Sequence, residues 1–461
     1  MLIRRLHAPR IDFAALRREL ELPTRFPPAA QREAEQAARR ALPDVDRTDI
    51  PFVTLDPAGS VDLDQAVHLA RRPGGGYRVH YAIADVAAYV APDGELAAET
   101  WRRGQTVYLP DGKVPLHPEI LSEQAASLLP DADRAAVLWT IDVTDDGETT
   151  AVHLERARVR SRARLDYRGA QRAADAGVLP DPIALLPELG ARLRAHGQAR
   201  GAIDLPLPEQ EVEPAGSGWR LALRAPVPLE DDNAQISLLT GRAAAGLMLD
   251  GGVGLLRTMP APKPEAVGRL RVAAAALGVP WPDGAGVGAA VRAVDPVSPR
   301  GAAFLDQAAE LLRGAGYTAF DGAPPADPGH GAVAAAYAHV TAPLRRLADR
   351  YATEACLALV AGRDVPDWVR AALPELPGAM ARTDRVASAA ARAAVDLVEA
   401  VLLATRVGEV FDAAVLDRST VALADPPVRA RCEGELPLGE RIRVRLVTAD
   451  PAARQVRFTR V

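Results

Sequence analysis

The residues best suited to chemistry are three aspartates, Asp56, Asp62 and Asp64, within nine positions. They lie in the segment D-P-A-G-S-V-D-L-D-Q, which follows a short apolar run typical of a β-strand. Pro57 and Gly59 favour a tight turn, after which the second and third aspartates project in the same direction. Carboxylates this close repel each other unless a cation neutralises them, and hard oxygen ligands suit Mg²⁺ or Mn²⁺. The segment alone is equally compatible with a metal site and with a polar turn whose aspartates cap the backbone.

Two further motifs contain candidate binding residues. The first, R-G-Q-T-V-Y-L-P-D at residues 103–111, places Tyr108 in a chain with only 4% aromatic residues. The second, Y-A-H-V-T-A-P-L-R-R, ends in Arg345 and Arg346, and its Pro343 predicts the first turn of a helix. Arginines beside metal carboxylates hold a phosphate and offset the negative charge that grows during phosphoryl transfer. Taken by itself, the arginine pair fits a surface ion pair better than a phosphate site.

The charge pattern does not identify a partner. The net charge of −5 does not indicate nucleic acid, and nearly every cation is arginine, with lysine only at positions 113 and 263. Residues 156–168, R-A-R-V-R-S-R-A-R-L-D-Y-R, would present alternate arginines on one side of a strand. Such a row fits a stripe for phosphates, and it fits a solvated strand face rather better.

The periodicity of the sequence predicts an α+β fold. Short β-type runs and Gly-rich turns occupy residues 50–165, and helical patterns dominate up to about residue 405. The last stretch contains five short alternating runs, which suit a small OB-type barrel. We therefore divide the chain into a helical N-terminal region (1–49), a large mixed domain (50–375), a connecting helix (376–404) and the barrel (405–461). The two N-terminal helices, predicted at 11–21 and 28–42, are either a nucleic-acid-binding element or part of the packing.

Cysteine content and hydropathy exclude several classes of protein. Cys356 and Cys432 are far apart and lack metal-ligand spacing, which argues against zinc, a disulfide scaffold or a disulfide-linked partner. The N-terminus has no apolar core as long as that of a signal peptide, and no apolar stretch approaches the length of a membrane span. We expect a monomeric, cytoplasmic protein with no membrane partner.

Taken together, the motifs resemble the RNase II family, the processive 3′→5′ exoribonucleases with an RNB catalytic domain. The resemblance covers about residues 50–360, in the family's order and spacing. It rests on P-F-V-T-L-D-P-A-G-S-V-D-L-D, I-A-D-V-A-A-Y-V, R-G-Q-T-V-Y-L-P, L-S-E-Q-A-A-S-L-L-P, R-G-A-I-D-L and Y-A-H-V-T-A-P-L-R-R. The C-terminal barrel is similar to the S1 domain of that family. The resemblance implies hydrolysis of single-stranded RNA to nucleoside 5′-monophosphates with Mg²⁺ or Mn²⁺.

The resemblance also implies roles for individual residues. Asp56, Asp62 and Asp64 correspond to the metal-binding aspartates, and Asp64 stands at the position most critical for cleavage. Arg345 corresponds to the arginine that contacts the scissile phosphate, so the implied catalytic set is Asp62, Asp64 and Arg345, with Gln65 as a further member of the metal site. The residues implied in RNA binding are Tyr108, which stacks on a base, Tyr167 and Glu230 at the 3′-terminal nucleotide, and His339, Arg345 and Arg346.

Three features depart from the family pattern. The family usually carries a fourth acid directly after the third aspartate, where this chain has Gln65. An amide oxygen can ligate Mg²⁺ but brings no charge, so we predict weaker or altered metal binding. Leu205 stands where R-G-A-x-D is often followed by Phe, which predicts a changed clamp on the RNA bases and a changed end-product length. The N-terminal 50 residues are too short for the paired cold-shock barrels common in the family.

Two other functions are compatible with the sequence. An RNA-binding protein with an impaired nuclease site is the first, because Gln65 breaks the acid set, although the intact aspartates and Arg345 argue against it. A phosphohydrolase of small substrates is the second, but it would have little use for a C-terminal barrel.

Overall fold

The computed structural model of the protein describes residues 11–216 and 218–461. Predictions that concern residues 1–10, namely the start of the helical N-terminal region and the lack of an apolar leader, lie outside the described residues. The first half of the chain forms α1 (Ala14–Glu19), α2 (Pro28–Ala37), β1 (Phe52–Asp56), β2 (Gln65–Arg71), β3 (Tyr77–Ala84), α3 (Glu95–Arg103), β4 (Val107–Leu109), β5 (Gly112–Val114), β6 (Asp133–Val143), β7 (Thr149–Asp166), α4 (Tyr167–Asp175), α5 (Leu186–Arg200), β8 (Glu209–Ala215) and β9 (Gly218–Arg224).

The second half of the chain is mainly helical until the final strands. It forms α6 (Pro228–Gly251), β10 (Val253–Thr258), α7 (Pro264–Leu277), α8 (Val287–Arg292), α9 (Pro299–Ala309), β11 (Gly316–Asp321), β12 (Gly329–His330), β13 (Ala335–Ala336), α10 (Leu347–Val360), α11 (Asp367–Ala372), α12 (Leu376–Leu403), β14 (Val410–Val415), β15 (Thr420–Leu423), β16 (Arg429–Glu433), β17 (Arg441–Asp450) and β18 (Gln455–Arg460).

The large domain is built on a closed five-stranded barrel with the order β1-β2-β3-β6-β7. Neighbouring strands are antiparallel except β1 and β7, which run parallel with Asp56 beside Asp166. Alternate side chains of β3, among them Tyr77 and Tyr81, enter one buried core, and the intervening Ala82 enters another. Strand β3 is therefore covered on both faces, whereas in β7 arginines alternate with buried residues such as Ala157 and Val159.

Two helices close one side of this barrel. Proline at position 228 suits the first turn of α6, which ends before Gly252 in the left-handed conformation with φ 69°. Ile236 of α6 and Tyr351 of α10 share a core with the barrel interior. Burial of this shared apolar surface fixes both helices against the strands that carry the aspartate segment.

A second core joins the two ends of the described chain. It contains Phe13 of α1, Leu221 of the β8–β9 hairpin, Val398 of α12 and the interior of the C-terminal barrel, as in Phe458. The C-terminal barrel is closed, with the order β14-β15-β16-β18-β17, so the expected five-stranded OB-type barrel is confirmed. The first predicted helix is therefore part of the packing, whatever else it binds.

Most predicted elements are present, but several helix boundaries were wrong. The second N-terminal helix, predicted at 28–42, ends at Ala37. The helix assigned to residues 343–361 begins at Leu347, so Pro343 precedes the helix instead of lying in its first turn. Residues before Leu347 are held in a turn, because the backbone amides of Ala342 and Leu344 donate to the carboxylates of Asp349 and Asp64. Within the described ranges, no helix has the length and apolarity needed to cross a membrane.

Candidate active site

The aspartate segment connects the end of β1 to the start of β2, at one end of the large barrel. Its loop is anchored through Leu63, which is fully buried and whose backbone amide donates to Ser127 Oγ at 2.9 Å. Because side chains alternate in an extended segment, Asp62 and Asp64 on either side of Leu63 both point away from that anchor. Ser127 belongs to the motif L-S-E-Q-A-A-S, so two sequence motifs meet here.

Asp64 links this loop to the arginine motif. Its side chain is buried, and its carboxylate accepts a hydrogen bond from the Leu344 amide at 2.7 Å. Arg345 Nε lies 3.5 Å from the other carboxylate oxygen, and the arginine side chain is about half exposed at 48%. Burial raises the pKa of Asp64 to about 7, although Arg345 and the Leu344 amide oppose that shift. The structure thus brings together two residues that are 281 positions apart in the chain.

Asp56 is a second, partly buried carboxylate. Its Oδ2 atom is buried and has no hydrogen-bond partner among the described residues. Burial raises its pKa to about 6, opposed by Arg345 and increased by the nearby Asp62. An acceptor left without a partner in this way costs free energy unless a cation or water satisfies it, so this donor set fits a hard divalent ion.

Asp62 has protein partners of its own. Its Oδ2 atom lies 3.0 Å from Lys113 Nζ and accepts a hydrogen bond from the Tyr108 hydroxyl at 3.2 Å. Lys113 Nζ also lies 2.9 Å from Glu123 Oε1. In the described part of the chain, no three acidic, imidazole or thiol side chains converge as a ready-made metal cage. The carboxylates of Asp62 and Asp64 would have to turn from these partners to share an ion with Asp56.

Gln65 is held by protein contacts at both ends of its amide. Its Nε2 donates to the Thr341 carbonyl at 2.7 Å, and its oxygen accepts a hydrogen bond from the Tyr81 hydroxyl. The same hydroxyl lies 2.9 Å from Ser237 Oγ on α6. The amide therefore joins β2, β3, α6 and the arginine motif, a role that a carboxylate could fill only in part because it has no N–H donor.

The aromatic and acidic residues implied in RNA binding surround the aspartates. Tyr108 is 49% exposed, while Val107 and Leu109 on either side of it are buried. The Tyr167 hydroxyl accepts a hydrogen bond from Asn233 Nδ2 at 3.3 Å, and burial together with the nearby Asp56 raises the pKa of Tyr167. Glu230, at the start of α6, pairs with Arg224 at 2.8 Å, and it too lies close to Tyr167.

The two arginines of the motif have different surroundings. Arg346 forms two hydrogen bonds to Asp349, whose side chain is fully buried. His339 Nδ1 lies 2.7 Å from the Tyr317 hydroxyl, and burial together with Arg346 keeps the pKa of this imidazole well below its ordinary value. Arg345, by contrast, faces the aspartates and is half exposed, so it is the arginine free to meet a ligand.

The arginine row of β7 is mostly engaged within the protein. Arg156 pairs with Asp85 at 2.8 Å, and Arg160 pairs with Asp133 at 2.6 Å. Arg164 donates to the Ser60 carbonyl at 3.0 Å and so supports the aspartate loop. These contacts favour the structural interpretation of the row over a phosphate stripe.

Sequence reasoning missed Lys113 and Glu123 as neighbours of the site. One signal was available, since the chain holds 55 lysines and arginines and only two of them are lysines. That count alone could not reveal which acids the lysine would contact.

Carboxylates and an exposed arginine at the end of a closed barrel, with aromatic side chains around them, define a site suited to phosphodiester chemistry. Family models agree with this class: the RNB domain matches residues 45–360, and the RNase II-type exonuclease C-terminal S1 domain matches residues 409–461. The first match covers well over half of the chain. The chain therefore belongs to the RNB-domain family.

Curated relatives match parts of the chain. Ribonuclease R of Escherichia coli is 40% identical over 123 residues, which are 27% of this chain and 15% of that protein. Ribonuclease R of Acidithiobacillus ferrooxidans is 34% identical over 192 residues, covering 40% of this chain and 43% of the relative. Exoribonuclease 2 of Vibrio vulnificus is 28% identical over 236 residues, covering 48% and 36%. The matched segments thus span less than half the length of each of these relatives.

Solved structures share the fold over almost the whole chain. Mycoplasma genitalium RNase R in complex with ribose methylated single-stranded RNA matches with a TM-score of 0.86 at 18% identity, covering 97% of this chain and 77% of that one. Yeast Ssd1, described as a pseudonuclease, matches with a TM-score of 0.67 at 15% identity, covering 86% and 51%. Since the fold is shared with a pseudonuclease, the site residues have to decide between catalysis and binding alone.

Proposed function

We propose that the protein is a processive 3′→5′ exoribonuclease that hydrolyses single-stranded RNA to nucleoside 5′-monophosphates. The observation that carries the proposal is a buried carboxylate, Asp64, and a partly buried one, Asp56, beside the half-exposed Arg345. Buried acids with raised pKa values are poised to take a divalent ion, and an unshielded guanidinium next to them is poised to take a phosphate. Family membership and the named relatives support the same reaction.

Asp56, Asp62 and Asp64 would hold Mg²⁺ or Mn²⁺ in this proposal. A bound divalent ion would supply activation of the attacking water and neutralisation of the scissile phosphate. Arg345 binds that phosphate and stabilises the charge that grows on its oxygens during in-line displacement. Its guanidinium, with Nε 3.5 Å from the buried Asp64 carboxylate, is about half exposed and so can meet a phosphate from the solvent side.

Side chains around the carboxylates hold the RNA. Tyr108 stacks on a base, and such stacking contributes roughly 1–3 kcal/mol for each base without reading sequence. Tyr167 and Glu230 flank the 3′-terminal nucleotide, and His339 and Arg346 support the backbone on the other side. The predicted role of Gln65 as a metal ligand requires its amide oxygen to leave the Tyr81 hydroxyl.

The partner, metal and compartment complete the proposal. Single-stranded RNA is the proposed substrate, Mg²⁺ or Mn²⁺ the metal, and the protein acts as a monomer in the cytoplasm. Both cysteines, Cys356 and Cys432, are unpaired and buried, which suits a reducing compartment.

A time course on 5′-labelled single-stranded RNA tests the proposal. With Mg²⁺ or Mn²⁺, full-length RNA should pass directly to a short end product, while single-stranded DNA of the same sequence stays intact. Asp64→Asn should abolish cleavage and retain RNA binding in a filter assay. Cleavage that persists in Asp64→Asn would contradict the assigned site.

An RNA-binding protein without nuclease activity is the second candidate. It rests on Gln65 in place of the fourth acid, and the named relatives favour the nuclease over it. RNA binding without any cleavage by the wild type, with either metal, would select this function.

A further inference from the structure

Lys113 lies in the β4–β5 hairpin directly opposite Tyr108. Cross-strand partners in an antiparallel pair point to the same face, so the hairpin presents a ring and an ammonium group side by side. Both groups contact the same atom, Asp62 Oδ2, at 3.2 Å and 3.0 Å. The hairpin is thus a platform whose polar groups converge on one of the three aspartates.

The ammonium group of Lys113 bridges two carboxylates. Nζ lies 3.0 Å from Asp62 and 2.9 Å from Glu123, which belongs to the π-helical turn Leu121–Ala125. The three side chains are largely shielded from solvent, with exposures of 19% for the lysine, 15% for Asp62 and 24% for Glu123. Charges shielded in this way are screened by salt much less than surface pairs.

The choice of lysine is informative in this chain. Only two of the 55 lysines and arginines in the chain are lysines, so nearly every cationic side chain is arginine. An ammonium is a compact point charge with three donors, whereas a guanidinium is a flat fork that engages one carboxylate with two parallel bonds. A site that must place a small positive charge between two carboxylates selects lysine for that reason.

The balance of charges around the site indicates how many divalent ions it binds. Lys113 pairs with Asp62 and Glu123, and Arg345 pairs with Asp64. Asp56 adds a fourth carboxylate, whose Oδ2 has no hydrogen-bond partner among the described residues and which has Arg164 as a further cation nearby. The four carboxylates and the two cations in direct ion pairs leave two negative charges, which one divalent ion neutralises. An acid in place of Gln65 would have added a third.

We propose that Lys113 is a built-in cation that neutralises Asp62, so that the site takes a single divalent ion, held chiefly by Asp56 and Asp64. This inference rests on the proposed function of the same site. It assigns Lys113 and Glu123 as positioning residues and explains how a chain with Gln65 keeps a balanced site.

Calorimetric titration of the full chain with Mn²⁺, checked by electron paramagnetic resonance of bound Mn²⁺, tests this inference. The wild type should bind one equivalent. Lys113→Met should bind a second equivalent, because removal of the ammonium leaves the carboxylates of Asp62 and Glu123 without their cation. Lys113→Arg should stay at one equivalent because it keeps the charge.

Two controls make the result decisive. Lys263→Met removes the other lysine, which is exposed at the start of α7, and should leave the titration unchanged. Glu123→Gln keeps Lys113 and all three aspartates, and it should still bind one ion, with lower affinity. This variant provides a second test if Lys113→Met does not fold. Two equivalents in the wild type or in Glu123→Gln, or equal titrations of Lys113→Met and Lys263→Met, would overturn the inference.

The RNA assay separates this inference from the proposed function. If the wild type cleaves RNA and binds two Mn²⁺ ions, the proposed nuclease activity is supported and the proposed role of Lys113 is wrong. If the wild type binds one Mn²⁺ ion and does not cleave RNA, the proposed nuclease activity is wrong and the proposed number of metal ions is supported.

Discussion

Arg345 and Arg346 are adjacent in the chain and differ in almost every other respect. Arg345 is half exposed beside Asp64, whereas Arg346 is paired with the fully buried Asp349. The resemblance assigned the phosphate contact to Arg345, but the sequence could not reveal that Arg346 is held in a buried ion pair. The two arginines can therefore be replaced one at a time, and the two variants serve as controls for each other.

Replacing each arginine should therefore affect a different property. Arg345→Met should lower kcat by about 10²–10³, because one stabiliser of the transition-state charge is lost, with little change in melting temperature. Arg346→Met should lower the free energy of unfolding by roughly 3–5 kcal/mol, because the buried Asp349 loses its charge partner and keeps only the Ala342 amide. For both variants, single-turnover RNA cleavage measures the change in rate, and chemical denaturation measures the change in the free energy of unfolding. Equal loss of stability in the two would refute the distinction.

Gln65→Asp should have two opposite effects. Metal affinity should rise, because a carboxylate adds negative charge at the site, as the family pattern predicts. The free energy of unfolding should fall by about 1–3 kcal/mol, because the Thr341 carbonyl and the Tyr81 hydroxyl lose their partner. Mn²⁺ titration and thermal denaturation of the same preparation report the two effects. Unchanged metal affinity would remove the predicted role of Gln65.

At the scale of elements, the β4–β5 hairpin connects the RNA site to the rest of the molecule. Val107 and Leu109 enter the second core with Ala390 of α12, while Tyr108 points the other way towards Asp62. Tyr108, the proposed stacking residue, therefore stands on a hairpin that shares its core with the C-terminal barrel.

Tyr108→Ala should weaken RNA binding and change the length of the end product. The loss of one stacked base corresponds to roughly 1–3 kcal/mol. Tyr108→Phe keeps the ring and should leave the end product unchanged, even though the hydrogen bond to Asp62 is lost. Denaturing gels of limit digests give the lengths, and Leu205→Phe in the same series shows whether the clamp predicted from the family is restored. Identical limit digests for Tyr108→Ala and wild type would exclude the stacking role.

Glu399 of α12 ties three elements together by a buried carboxylate. It accepts hydrogen bonds from Gln210 Nε2 of β8 at 2.8 Å and from the Arg429 amide of β16 at 3.0 Å. Burial raises its pKa from 4.5 to about 7, with a further contribution from Asp396, and the two hydrogen bonds and the Arg429 charge oppose the shift. The protonated carboxyl is therefore favoured at this junction of helix, hairpin and barrel.

A pH dependence of stability follows from this shift. Because the folded-state pKa lies above the unfolded one, the contribution of Glu399 is complete below about pH 4.5 and is lost as the pH rises through about 7. Glu399→Gln should remove up to about 3 kcal/mol of this pH dependence between pH 5 and pH 8. Urea denaturation at several pH values gives the difference between variant and wild type. A difference that does not vary with pH would contradict the assignment.

At the scale of the whole molecule, the net charge of −5 conceals local basic surfaces. Arg441 and Arg443 alternate on the exposed face of β17, with Ile442 and Val444 buried between them. Neither arginine has an ion-pair partner in the described ranges, in contrast to most of the β7 row. The C-terminal barrel is thus the better candidate for binding RNA phosphates remote from the site.

The double variant Arg441→Met/Arg443→Met should weaken binding of long RNA. The slope of log affinity against log salt should decrease by about 0.7 for each phosphate that the variant no longer neutralises, while cleavage of very short RNA stays unchanged. Arg313→Met, at an exposed arginine that is already paired with Glu310, serves as the control. An unchanged salt slope would show that the barrel face does not meet the RNA backbone.

Secondary-structure elements could be predicted from local sequence patterns, whereas contacts between distant parts of the chain could not. The hairpin of β2 and β3, the strand pair of β6 and β7, and the C-terminal barrel follow from side-chain alternation and turn residues. The aspartate segment and Arg345 came from motif resemblance. Lys113 could not be found, because its partners depend on how a hairpin, a loop and a π-helical turn meet in space. The partners of the β7 arginines were hidden for the same reason.

The second core has a consequence for biosynthesis. Phe13 packs edge-on against Trp219 at 5.6 Å and shares that core with Val398, so the residues at the start of α1 are buried by residues made much later. At roughly 5–20 residues per second, the ribosome needs on the order of 20–80 s to synthesise the intervening chain. During that interval the apolar side of α1 lacks its final partners. The nascent chain therefore carries an exposed apolar segment at α1, a natural target for chaperones, and a ribosome stalled before α12 would leave it unprotected.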